Sequence, residues 1–180
     1  MPAVLSKQEI IQQLKSVSGE LTGFCFSINK ELFFQQPVAK WSVAQNIQHL
    51  IVSTNTTRLA FTLPKFAIRI YAGRPNRPSR TFDELVAKYT LKLSQGGKAS
   101  GRYIPKLILP ENDPEKMLNT FLNTMNRLDG CIQKKWADPQ LDQFIAPHPL
   151  LGKITFRELC YFTIYHTLHH LNIIKERIKG

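Results

Sequence analysis

Apolar residues recur at helical spacing in four long stretches of the chain, each opened by a residue type that caps helices. Ser6-Lys7-Gln8-Glu9 reads as a capping box, followed by Ile10, Ile11, Leu14 and Val17. Ser42-Val43-Ala44-Gln45 opens a second helix, predicted to run to about Leu63 before Pro64 stops it. Asp113-Pro114 sets a cap and a first-turn proline ahead of Met117, Leu118, Phe121, Leu122, Met125 and Leu128. Thr155-Phe156-Arg157-Glu158 opens the last helix, which continues nearly to the end of the chain. No stretch shows convincing strand alternation.

The connections are uneven. Residues 64–112 form a long irregular segment rich in Pro, Gly and Arg, within which Thr81-Phe82-Asp83-Glu84 caps a short helix through Leu91. A shorter irregular stretch, 138–152, contains Pro147-His148-Pro149. The pattern predicts an all-α fold, a four-helix bundle with one long crossover between its second and third helices. There is no internal repeat, and residues 1–180 read as a single domain.

The last helix is apolar nearly all round. Leu159, Phe162, His166, His170 and Ile173 share one stripe, and Ile164, Leu168, Leu171 and Ile178 occupy the opposite side. Such a helix must be covered on every side: it is central, it lies in a dimer interface, or the long crossover buries it.

Composition narrows the class. A chain of 180 residues with 43% apolar and 21% charged residues suits one globular core. No apolar run approaches the roughly 20 residues of a membrane span, and the first residues lack a signal-peptide pattern. Cys25, Cys131 and Cys160 are odd in number and widely spaced, which suggests reduced thiols and a cytoplasmic protein.

The net charge of +11 is concentrated between Arg58 and Lys106, where eleven basic residues face only Asp83 and Glu84. Nucleic acid is the first partner such a balance suggests, but no Lys/Arg block, zinc-finger spacing or RNA-binding signature accompanies it. The segment reads instead as a solvated basic surface or the mouth of an anionic-ligand site, with Arg69, Arg74, Arg77 and Arg80 as its candidates.

Candidate chemistry lies in five histidines: His49, His148, His166, His169 and His170. His166 and His170, four apart on one helical face, can grip one metal ion. A catalytic metal usually takes three protein ligands, and His49 on the second helix is a plausible third. The pair sits mid-stripe among apolar residues, where a buried imidazole needs a partner. His169 lies about 60° from His166 by helical angle, so spacing leaves it open as a ligand, a supporting residue or a pocket wall. No Ser-His-acid order or nucleophile elbow occurs, and Cys160 lies about 120° around the helix from His166.

These residues resemble the motifs of the DinB-like (DinB/YfiT) superfamily. Trp41-Ser42, with His49-Leu50 following, is similar to its first motif. His148-Pro149-Leu150-Leu151-Gly152-Lys153-Ile154-Thr155, followed by His166-x-x-His169-His170-Leu171, is similar to its second, in the branch with an HPLxG loop. The resemblance implies an up-down-down-up four-helix bundle, usually a homodimer, with a divalent metal, often nickel or zinc, held by three histidines. Carried over by position, the ligands are His49, His166 and His170.

Characterised members of that superfamily include thiol-dependent transferases and isomerases using bacillithiol, mycothiol or glutathione; others are suggested to be metal-dependent hydrolases. The implied function is transfer to or from a small-molecule substrate by a metal-activated low-molecular-weight thiol. The alternatives are hydrolysis by metal-bound hydroxide, or a non-catalytic, stress-related metal-binding bundle. Gln45 and Asn172 stand where many relatives carry Glu and Gln. With His148 and His169, they are the expected supporting or pocket residues.

Overall fold

The computed structural model describes residues 4–38 and 40–179. Four long helices carry the fold: α1 (Lys7–Phe26), α3 (Val43–Thr62), α6 (Pro114–Lys135) and α8 (Phe156–Lys179), with the short α2 (Lys30–Phe34) after α1. Each begins where local chemistry places its cap. Ser6 Oγ accepts from Glu9 N while Glu9 Oε2 accepts from Ser6 N, and Ser42 and Gln45 repeat the exchange on α3. Asp113 caps α6. Thr155 and Glu158 close the same box on α8, at 3.2 and 2.9 Å.

α1 packs on α6 and α8, and α3 packs on the same two helices. The first two long helices are therefore not the main partners of each other, and all four enclose one core. Ile10, Leu14, Leu21, Ile47, Leu50, Phe121, Leu128 and Ile132 are buried there. Burial of such side chains against water is the main stabilising term in the bundle.

The crossover is more ordered than its composition suggests. Pro64 ends α3 but also stands as the N-cap of α4 (Lys65–Ala72), its carbonyl accepting from Ile68 N. The helix capped by Thr81 runs from Phe82 to Ser94 (α5), beyond the expected Leu91. α5 lies against α8, with Tyr89 edge-on to Phe162 and Phe82 edge-on to Tyr161. The crossover is thus what covers the outer side of the apolar last helix.

The stretch before α8 corrects the absence of strands. After α7 (Gln140–Gln143), β1 (Ile145–His148) and β2 (Gly152–Thr155) form an antiparallel hairpin in the register Ile145↔Thr155 to His148↔Gly152. Four-residue strands are too short for alternation to stand out. Gly152, at φ +73°, takes the left-handed conformation that lets the chain turn back.

Two polar clusters fix these outer elements. Glu158 is fully buried and receives both guanidinium nitrogens of Arg77 (2.7 and 2.9 Å), Arg80 N and Nη1, and Thr155 N. Buried Arg157 binds Asp142 through two nitrogens at 2.7 and 2.8 Å and also reaches Asp138. Among the described residues no helix is long and apolar enough to cross a membrane.

Candidate metal centre

His49 projects from the middle of α3, and His166 and His170 from one face of α8. Their Nε2 atoms turn toward each other, 3.0 Å apart for His49 and His166 and 3.2 Å for His166 and His170. The three candidate donor atoms all lie within 4.8 Å of one another, and the three residues are no more than 6% exposed.

The far side of each ring explains this orientation. His49 Nδ1–H donates to the Tyr103 carbonyl at 2.6 Å, an atom that can only accept. His170 Nδ1–H donates to Asn46 Oδ1 at 2.6 Å, and Asn46 Nδ2 donates to Ser42 O at 2.8 Å, which fixes the amide's orientation. His166 Nδ1 lies 3.4 Å from Ser53 Oγ. With the Nδ1 protons of His49 and His170 so engaged, their neutral rings present bare Nε2 lone pairs to His166. One proton on His166 Nε2 satisfies only one of the two.

Burial keeps the rings neutral. It pushes His49 below its ordinary value, although the Tyr103 carbonyl favours the charged ring. His166 and His170 lie well below theirs, through burial first and then the neighbouring imidazoles. Neutral imidazole is the form that binds metal. Nitrogens bound at about 2.0–2.1 Å around a tetrahedral zinc stand roughly 3.3 Å apart, close to the 3.0 and 3.2 Å that separate His166 Nε2 from the other two. The donor set fits a divalent cation.

Aromatic rings hold the cluster in place. Trp41 lies parallel to His170 within 5° at 6.1 Å and tilts onto His49 at 5.1 Å. Phe162 stacks beneath His166 at 4.7 Å. The cluster opens into a cavity of about 1150 Å³, walled mainly by apolar side chains such as Leu59, Ile68, Leu150 and Leu159. Among the described residues no Asp or Glu lines it.

The remaining expected residues fall in different places. His169 is half-buried between Tyr165 and Tyr89 and lines the cavity outside the converging set. His148 also lines the cavity. Its ring sits on Phe162 at 4.2 Å, and its Nδ1 accepts from Leu150 N and Leu151 N, closing the hairpin turn. Gln45 is used up in the α3 capping box, and Asn172 is exposed on α8, so neither touches the imidazoles.

The arginine mouth requires correction. Arg77 and Arg80 are held by Glu158, Arg69 stacks over the Phe144 ring at 4.4 Å, Arg74 is exposed, and none of the four lines the cavity. A buried carboxylate draws the nearest guanidiniums to itself. The basic residues that do line the cavity are Lys40, Lys98, Arg102 and Arg177.

Sequence reasoning missed Asn46, Ser53 and the Tyr103 carbonyl. Asn46, His49 and Ser53 follow i, i+3, i+7 on α3 and are all buried, so the face that Asn46 and Ser53 share with His49 was the available signal. The Tyr103 carbonyl left none, because any residue has one. Cys25 and Cys160 are buried thiols, raised by burial to about 12 in Cys25 and higher still in Cys160, so neither serves as a nucleophile.

Fold and site together define a helical bundle built around a buried three-histidine cluster beneath a large cavity. The family model of the DinB superfamily matches residues 27–174, and the chain belongs to that superfamily. Among solved structures it is similar to YfiT from Bacillus subtilis, described as "a probable metal-dependent hydrolase with an unusual four-helix bundle topology". The two share 21% identity at a TM-score of 0.59, over 94% of this chain and 84% of that one, which is a likeness of fold. No curated protein matches the chain.

Proposed function

We propose that the protein is a metal-dependent enzyme in which His49, His166 and His170 hold a divalent cation and the cavity takes a small, mostly apolar molecule. The observation that carries this reading is the convergence of three Nε2 atoms whose opposite nitrogens are held by Tyr103, Asn46 and Ser53. Second partners of this kind orient metal-binding imidazoles. Three neutral donors leave a bound cation its full charge, with which it lowers the pKa of a thiol or water beside it. Imidazole nitrogen suits nickel and zinc alike.

The favoured reaction is transfer involving a low-molecular-weight thiol. Among the described residues no carboxylate stands in the wall to act as a general base for water, whereas a thiol gives up its proton far more readily. Trp41, Phe162 and the aliphatic wall exclude water and orient an apolar acceptor. The second reading is hydrolysis, favoured by the likeness to YfiT and by His169, a neutral imidazole in the cavity wall that can take a proton from water.

Elemental analysis of protein purified without a histidine tag tests the metal. Stoichiometric nickel or zinc is expected in the wild type and its loss in His49→Ala; metal-free wild-type protein would sink the proposal. Chelator-sensitive turnover that requires added thiol supports transfer, and turnover without thiol supports hydrolysis. Exposed Phe66, Ile70 and Tyr71 on α4 support a homodimer, which sedimentation tests directly.

A further inference from the structure

His166, His170, Ile173 and Arg177 follow i, i+4, i+7 and i+11 on α8, so they share one face, and all four line the cavity. Arg177 stands about 10 Å beyond His170 along the helix axis. Long helical side chains lean toward the helix N-terminus, which carries its guanidinium back toward the imidazoles. A second, smaller cavity adjoins the first through Lys40, Ile173 and Arg177.

Among the described residues, Arg177 Nη1 is buried and has no hydrogen-bond partner. Glu176 lines the smaller cavity but is exposed and forms no ion pair with it. The other basic residues of the main cavity, Lys40, Lys98 and Arg102, are exposed and keep their hydration. Among the described residues Arg177 is therefore the cation of the cavity with a dry donor awaiting an acceptor, and burial lowers its pKa accordingly.

We propose that Arg177 is the anion-binding residue of the cavity, receiving the carboxylate of a small amphipathic ligand whose apolar body lies along Ile173 toward the three imidazoles. A guanidinium matches a carboxylate with paired parallel donors. Exposed Lys40 adds charge at the rim. This inference rests on the reading of the cavity as the substrate site and adds to it the charge of the substrate and its position along α8.

The test compares hexanoate with its neutral counterpart hexanamide by ligand-observed NMR titration of the full chain, before and after chelator treatment. Hexanoate should bind about 10- to 100-fold more tightly in both states, the range of a hydrogen bond to a charged group. Arg177→Gln should bring hexanoate to the affinity of hexanamide and leave hexanamide unchanged, while Arg177→Lys keeps part of the preference. Melting curves check that the variants fold; because Nη1 has no partner to lose, the melting temperature should not fall.

Equal binding of the two probes by the wild type, or binding of neither, overturns the proposal. A preference that survives Arg177→Gln and disappears on chelation overturns it as well, since the carboxylate is then held at the metal. His49→Ala separates the two readings: loss of metal there with the hexanoate preference intact supports Arg177 whatever the fate of the metal proposal.

Discussion

Asn46 Oδ1 accepts the Nδ1 proton of His170 at 2.6 Å, with its own amide nitrogen anchored to Ser42 O one turn earlier on α3. One buried side chain thus sets both the tautomer and the tilt of an imidazole on another helix. Asn46→Leu is branched at the same carbon and removes both that acceptor and the donor to Ser42. Metal affinity should fall about 10- to 100-fold, with the fold retained. Competition against a chromophoric chelator measures it, and unchanged affinity would show that Trp41 stacking alone orients the ring.

If His49, His166 and His170 hold a cation as proposed, its removal should lower stability, because a cation would satisfy all three Nε2 atoms at once. At a free metal concentration 100-fold above its dissociation constant, the contribution is about 2.7 kcal/mol. For a chain of this size that is a drop of roughly 5–10 °C in melting temperature on chelation. Calorimetry with and without chelator reads it, and His166→Ala should be insensitive to chelator.

Glu158 ties the crossover to α8 by gathering Arg77, Arg80 and Thr155 around a carboxylate with no exposure. Glu158→Gln leaves two guanidiniums without their counter-charge and should cost about 2–4 kcal/mol by urea denaturation. Residues 73–81 should become the first site of limited proteolysis. Burial favours the protonated acid, but the hydrogen bonds from Arg77, Arg80 and Thr155 outweigh it and hold the carboxyl below 4.5. A lowered acid stabilises the fold above its unfolded value, and this contribution is lost as pH falls through the folded value. The variant should lack that part of the acid transition.

His148 gives a second pH dependence, distinct from that of the metal centre. Burial pushes its imidazole down to about 4, with Nδ1 accepting from Leu150 N and Leu151 N. The unfolded chain takes up a proton near 6.5 that the folded one refuses, so stability is full above that value and lost on acidification toward 4. The loss is about 3 kcal/mol. Urea midpoints of chelated protein at pH 7, 5.5 and 4 should fall more steeply in the wild type than in His148→Asn, and parallel slopes would rule this out.

Caps and apolar periodicity determined the four long helices from the sequence alone, because a capping box and an i, i+4 stripe are made by residues within a turn or two of one another. The same locality put His166 and His170 on one face of α8, and following that stripe two turns further reaches Arg177. Only the tertiary structure decided what that face meets. Helical angle left His169 open, and the packing of α3 on α8 brought His49 to the other pair and left His169 against Tyr89. The path of the crossover was equally out of reach. Buried Glu158 drew Arg77 and Arg80 away from the cavity, and the same crossover delivers a backbone carbonyl, that of Tyr103, to His49. Local hydrogen bonds specify an element and its face. Which faces meet follows from long-range burial and charge pairing, and that pairing is what turns two histidines on a helix into a three-histidine centre.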